Sequence, residues 1–88
     1  MTMSKVKSNQ VIENTQKGFD MLFNVLRNGE YNKKDLAKNI NHFLHQNSAQ
    51  IILSDMNSEE KRKIMNYRSS MILEIINYID GYNDDYGV

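Results

Sequence analysis

The chain has 88 residues, 11 basic and 11 acidic side chains, and no cysteine. A chain of this length forms one domain at most, so we expect residues 1–88 to be a single domain. The absence of cysteine excludes disulfides, thiolate zinc sites and cysteine nucleophiles. The balanced charge argues against a whole-protein field that attracts nucleic acid or an anionic membrane.

Residues 1–10 are polar and no apolar run follows them, which is not the pattern of a secretory signal. The longest apolar-rich stretch, residues 71–79, includes Glu74 and Asn77 and is far too short to cross a bilayer. We therefore expect a cytoplasmic protein with no membrane partner. Asn, Ile and Lys are frequent, as in products of AT-rich genomes, so an origin in a phage or mobile element is one hypothesis.

The first predicted helix runs from about Asn9 to Asn28. Its apolar stripe has spacings of three and four and consists of Ile12, Thr15, Phe19, Leu22 and Leu26. Asn28 and Gly29 predict the end of this helix, because both tolerate the left-handed conformation. Gly18 indicates either a close contact with another helix or a surface glycine, and we expect the surface position.

The second predicted helix begins at Asn32, which with Asp35 resembles a capping pair. Its stripe contains Leu36, Ile40, Phe43 and Leu44 and is extended by Asn47, Ile51 and Ile52. Residues 46–48 are mediocre helix formers, which leaves a break open. We favour one helix to about Ser54.

The third predicted helix begins after Asn57 or Ser58, with Glu59 and Glu60 at the positive end of the helix dipole. It is expected to run to Asp80 and to stop at Gly81. One apolar stripe consists of Ile64, Tyr67, Met71, Ile75 and Tyr78, and a second beside it of Met65, Ile72, Ile76 and Ile79. A helix so apolar is covered on more than one side.

These patterns predict an all-α fold, a small three-helix bundle or a helical hairpin with an additional helix. Residues 1–8 and 82–88 are expected to be flexible ends. The expected core consists of Phe19, Leu22, Leu36, Ile40, Phe43, Ile72 and Ile76.

The motifs of catalysis are missing from the sequence. It has no glycine-rich phosphate loop and no serine in a nucleophile elbow. His42 and His45 share a helix face, but a zinc ion needs two further ligands and no cysteine supplies them. We expect no enzymatic activity, no metal and no cofactor.

Two sets of basic residues raise the alternative of a small DNA-binding transcriptional regulator. Residues 33–38 resemble the opening helix of many helix-turn-helix domains over about eight residues, until Asn41 and His42 take the place of the usual turn. If the basic faces of the second and third helices meet, they form a patch for phosphates. The candidate contacts are Lys33, Lys34, Lys38, Lys61, Arg62, Lys63 and Arg68.

The third helix has more apolar surface than two neighbouring helices cover. A contiguous exposed apolar patch usually marks an interface, and symmetric dimers are the commonest homo-oligomers. We therefore expect a homodimer, or a surface reserved for a partner protein, and a non-enzymatic interaction or regulatory factor. The predicted interface consists of Met65, Met71, Leu73, Tyr78 and Tyr82.

Overall fold

A computed structural model describes the backbone of residues 5–87 and the side chains of residues 5–80. The chain forms three helices, α1 (Ser8–Asn28), α2 (Lys33–Ile52) and α3 (Ser58–Gly87). Across residues 5–87 no strand of more than a single bridged residue occurs, and the all-α prediction is confirmed. α2 continues without a break through residues 46–48, as expected.

Local side chains and one glycine define the ends of the first two helices. Gly29 has a positive φ of 73° and its N–H donates to the Leu26 carbonyl, which ends α1. The Asn32 side chain accepts hydrogen bonds from the backbone N–H groups of Lys34 (2.8 Å) and Asp35 (3.3 Å). These contacts satisfy N–H groups that have no partner within α2.

α3 begins where the sequence predicts and ends later. Asn57 and Glu60 form a reciprocal capping box, in which each side chain accepts from the other's backbone N–H at 2.8 and 3.1 Å. The predicted end at Asp80 is wrong, because the helix continues through Gly81 to Gly87. A glycine inside a helix costs only about 1 kcal/mol, so it does not force a stop. Residues 82–87, expected as a flexible tail, are part of this helix.

The segment before α1 is hydrogen-bonded to the link between α2 and α3. The Val6 N–H donates to the Leu53 carbonyl at 3.1 Å, and the Asp55 N–H donates to the Val6 carbonyl at 3.0 Å. The Asp55 carboxylate accepts from the Ser8 N–H at 2.9 Å. Val6 and Ser8 belong to the N-terminal end that the sequence predicts to be flexible, but both form these hydrogen bonds. Residues 1–4 lie outside the described residues.

Two apolar clusters hold the helices together. In the first, Phe19, Leu22 and Leu26 of α1 pack with Leu36 of α2 and Ile75 of α3. The second consists of Val11, Ile51, Met56 and Ile64. It joins the start of α1, the end of α2 and the start of α3, so α2 runs opposite to the other two helices. None of the helices described is long and apolar enough to span a membrane.

Of the seven residues predicted to form the core, three are buried, three are half-buried and one, on α3, is exposed. Phe19, Leu22 and Leu36 are buried, and Ile40, Phe43 and Ile72 pack against the first cluster while half-buried. Ile76 is 45% exposed, and its neighbour Ile75 is buried instead. Successive residues of a helix point about 100° apart, and here both candidates are isoleucine, so the pattern does not distinguish them.

Gly18 lies at a close contact between α1 and α2, and the expected surface position is wrong. A Cβ atom at Gly18 would overlap the ring of Phe43. That ring packs edge-on against Phe19, with ring centroids 5.0 Å apart. The absence of a side chain at Gly18 therefore lets Phe43 reach the core.

Candidate interaction surface

An apolar stripe of α3 faces away from the core. Met65 is 45% exposed, Leu73 is 58% exposed and Ile76 is 45% exposed. Ile72 lies between them and is half-buried, because it also packs against the first cluster. These four residues, the outer stripe, occupy about 100° of the helix circumference. Large apolar side chains so close together on one helix form a continuous surface that a partner can cover.

The structure brings together only part of the predicted interface. Met65 and Leu73 lie on the outer stripe, whereas Met71 packs against the first core cluster. Tyr78 is exposed but lies about 140° around the helix from Met65, where it lines a cleft of about 290 Å³. The side chain of Tyr82 lies outside the described residues. Ile76 was missed as a surface residue because it was assigned to the core.

A second exposed apolar pair lies at the end of α2. Ile52 and Leu53 are both exposed and line a cleft of about 410 Å³ beside Val6 and Lys61. The placement of Ile52 on the buried stripe is wrong, since that stripe ends one residue earlier, at Ile51. Helical spacing could have predicted the exposure of Ile52, because its side chain points about 100° away from that of Ile51.

Arg68, one of the candidate nucleic-acid contacts, is buried, with only 7% of its surface exposed. One terminal nitrogen lies 3.1 Å from the Met65 sulfur and the other lies 3.5 Å from the Leu44 carbonyl oxygen. Its Nε atom has no hydrogen-bond partner among the described residues. Burial lowers the pKa of the guanidinium, and no described carboxylate forms an ion pair with it.

The two basic groups do not form one patch. The lysines at 33, 34 and 38 are exposed at the start of α2, whereas residues 61–63 lie at the start of α3, beside the end of α2. α2 is about 30 Å long, which separates the groups. Arg62 also pairs with Glu59 of its own helix.

The interface between α1 and α2 contains a buried polar pair. The Asn47 amide, 2% exposed, donates to the Thr15 hydroxyl at 2.7 Å. That hydroxyl donates to the Val11 carbonyl at 2.6 Å. The pair favours one register of the two helices, because the Asn47 amide has its hydrogen-bond acceptor, the Thr15 hydroxyl, only when the two residues lie opposite each other.

His42 and His45 are both exposed on α2. Among the residues with described side chains, no group of three or more His, Asp or Glu is placed to hold a metal ion.

Comparison with protein-family models, with curated proteins and with solved structures finds no match. Evidence for function therefore comes from the chemistry of the surface itself, where Met65, Leu73 and Ile76 are exposed together on α3.

Proposed function

We propose that this protein is a non-enzymatic interaction or regulatory factor that acts by binding a partner protein through the outer stripe of α3. The observation that supports this proposal is the exposure of Met65, Leu73 and Ile76 on one side of a helix. Large contiguous apolar patches on a protein surface usually mark interaction sites. Met65 suits such a site, because methionine adapts to imperfectly matched surfaces.

In this proposal the folded unit is a three-helix bundle, and α3 serves both the core and the interface. Its inner side supplies Ile64 and Ile75 to the two clusters, and its outer stripe meets the partner. The carboxylates with described side chains are mostly exposed, which gives little means of raising a pKa for acid catalysis. This supports a binding role over a catalytic one.

A DNA-binding regulator is the second candidate and has weaker support. The two basic groups, at the start of α2 and at the start of α3, lie apart, and each has an acidic residue beside it, Asp35 or Glu59. Binding to phosphates would fall steeply as salt rises, whereas an apolar protein contact would not. A titration of duplex DNA at two salt concentrations therefore separates the two candidates.

The proposal is tested by capturing partners with the tagged chain and identifying them by mass spectrometry. Met65→Glu and Leu73→Glu each place a charge on the outer stripe, so we expect both to lose the captured proteins while circular dichroism stays helical. Ser70→Glu, an exposed position of α3 away from the stripe, is the matched control and should retain them. If both stripe variants capture the same proteins as the unmodified chain, the proposal is wrong.

A further inference from the structure

Met65, on the outer stripe, is in contact with a buried cation. Its side chain is 45% exposed, and its sulfur accepts a hydrogen bond from a terminal nitrogen of Arg68 at 3.1 Å. A thioether sulfur is only a weak acceptor. The contact therefore stabilises the guanidinium much less than an oxygen acceptor in the same place would.

Arg68 has donors that this arrangement leaves unused. A guanidinium has five N–H groups, and this one is 93% buried, since only 7% of the residue is exposed. Among the described residues its other partner is the Leu44 carbonyl oxygen at 3.5 Å, the long limit for a hydrogen bond, and its Nε has none. Buried donors without acceptors are costly. An oxygen atom added to the Met65 sulfur would thus have donors beside it.

We infer that Met65 is a site of reversible oxidation, at which hydrogen peroxide converts the thioether into a sulfoxide whose oxygen accepts a hydrogen bond from Arg68. The sulfoxide replaces an apolar group of the outer stripe with a polar one, so oxidation weakens the binding of a partner protein there. This consequence rests on the proposed function, whereas the oxidation itself does not.

The reaction is a two-electron transfer from sulfur to peroxide. A sulfur lone pair attacks one peroxide oxygen, so that the S–O bond forms as the O–O bond breaks. The departing hydroxide takes the proton of the transferred hydroxyl and leaves as water. Two thiols return the sulfoxide to the thioether, with formation of a disulfide and water, when a methionine sulfoxide reductase catalyses the step. These thiols are external, because the chain has no cysteine.

The contact with Arg68 also determines which side of the sulfur reacts. A thioether sulfur has two lone pairs, and one of them faces the Arg68 N–H donor. Peroxide therefore reaches the other lone pair from solvent, and one of the two sulfoxide epimers predominates. Rotation about the terminal bonds of this flexible side chain then brings the new oxygen to the guanidinium.

Met21 of α1 is the matched comparison within the chain. It is 69% exposed, and the cation one helical turn away, Lys17, is paired with Glu13. Met56 is buried and Met71 packs against the first cluster, so mild oxidation should spare both. Met1 and Met3 lie outside the described residues and are the same in every variant below.

Limited oxidation with hydrogen peroxide, followed by tryptic digestion and mass spectrometry, tests the site. Trypsin separates Met65, on the peptide of residues 64–68, from Met21, on the peptide of residues 18–27. Treatment of the peptides with each of the two epimer-specific reductases measures the epimers. We expect a several-fold excess of one epimer at Met65 and a ratio closer to one at Met21. Equal epimers at Met65, or no oxidation there, would overturn the inference.

The thermal midpoint tests whether Arg68 holds the oxygen. Met21→Leu and Met21→Leu with Arg68→Leu are compared before and after oxidation, and replacing a buried unpaired charge with an apolar residue is compatible with folding. The change in midpoint on oxidation should be more favourable by about 4 °C or more where Arg68 is present. In the Met21→Leu chain, exchange of the Arg68 guanidinium protons, measured by NMR, should also slow several-fold on oxidation. Equal midpoint changes with unaltered proton exchange would show that Arg68 does not hold the oxygen.

Partner capture tests the consequence for binding and separates it from the proposed function. Oxidised Met21→Leu should capture several-fold less of an identified partner, whereas Met65→Leu should capture the same amount with and without peroxide. If Leu73→Glu loses the partner but oxidation of Met65 does not, the regulatory consequence is wrong and the interaction role stands. If Met65→Glu and Leu73→Glu both leave capture intact, the proposed function is wrong, and the epimer ratio and the thermal midpoint still decide the oxidation site.

Discussion

Single residues determine how closely α1 and α2 approach each other. Gly18 leaves room for the Phe43 ring, and that ring in turn packs on Phe19. On the same interface the Asn47 amide donates a buried hydrogen bond to the Thr15 hydroxyl. An amide buried to this extent tolerates little displacement, since an unpaired polar group in the interior costs about 1–3 kcal/mol.

We predict that Gly18→Ala lowers the free energy of unfolding by about 1–2 kcal/mol. The added methyl overlaps Phe43, and such overpacking costs about 1–3 kcal/mol, while the gain in helix propensity is at most about 1 kcal/mol. Urea denaturation measures the difference. In a Phe43→Leu background the clash is relieved, so the same substitution should become neutral or stabilising there. A stabilising effect of Gly18→Ala in the unmodified chain would refute the close contact.

Tyr67 gives the fold a dependence on alkaline pH. Its burial, with smaller contributions from Asp20 and Glu74, raises the pKa of the phenol in the folded chain. The unfolded chain has the ordinary tyrosine pKa of about 10. The stabilising contribution is therefore complete below that pH and is lost as pH rises above it. We predict that, from about pH 9 to pH 11, the urea midpoint of the unmodified chain falls relative to that of Tyr67→Phe. Parallel curves would contradict this.

At the scale of helices, the start of α3 depends on one reciprocal pair. Asn57 and Glu60 each accept a hydrogen bond from the other's backbone. We predict that Asn57→Ala lowers the free energy of unfolding by about 1 kcal/mol, the usual effect of losing such a cap. Asn57→Asp retains an acceptor oxygen and should be close to neutral. Thermal denaturation of the two variants in parallel measures the effect, and an equal loss in both would exclude capping as its cause.

The helix boundaries that are local in origin could be predicted from the sequence, and those that depend on packing could not. Asn32, Gly29 and Asn57 act on their own neighbours, so their side-chain chemistry is enough to locate them. The end of α3 is different, because Gly81 is compatible both with a stop and with a continuing helix. The choice between these depends on the energetics of the whole helix.

The same distinction applies to the candidate site. The surplus of apolar residues on α3 was visible in the sequence, and Met65 and Leu73 are indeed exposed. The burial of Arg68 was not visible, because its apolar stem and charged end suit a surface and an interface equally well. It becomes evident only when α2 packs beside α3 and the Leu44 carbonyl lies next to the guanidinium.

At the scale of the whole molecule, α3 is the longest element and contributes to two surfaces. Its 30 residues extend for about 45 Å, against about 30 Å for α2. Ile75 and Ile76 are adjacent in the sequence, and one lies on each of these surfaces. One is 2% exposed in the first cluster and the other is 45% exposed on the outer stripe. If the outer stripe is an interface, as we propose, substitutions at these two neighbouring isoleucines separate its effect from that of the core.

We predict that Ile75→Ala and Ile76→Glu have opposite signatures in thermal unfolding. Ile75→Ala removes core packing and should cost about 2–5 kcal/mol at every protein concentration. Ile76→Glu changes an exposed side chain, so at low concentration it should unfold at the temperature of the unmodified chain. If the chain forms the homodimer expected from the sequence, its stability rises with concentration by mass action, about 1.4 kcal/mol for each tenfold increase. Ile76→Glu should not gain it, because its buried charge would prevent docking. If the thermal midpoint of Ile76→Glu rises with concentration as much as that of the unmodified chain, the dimer contact lies outside the outer stripe.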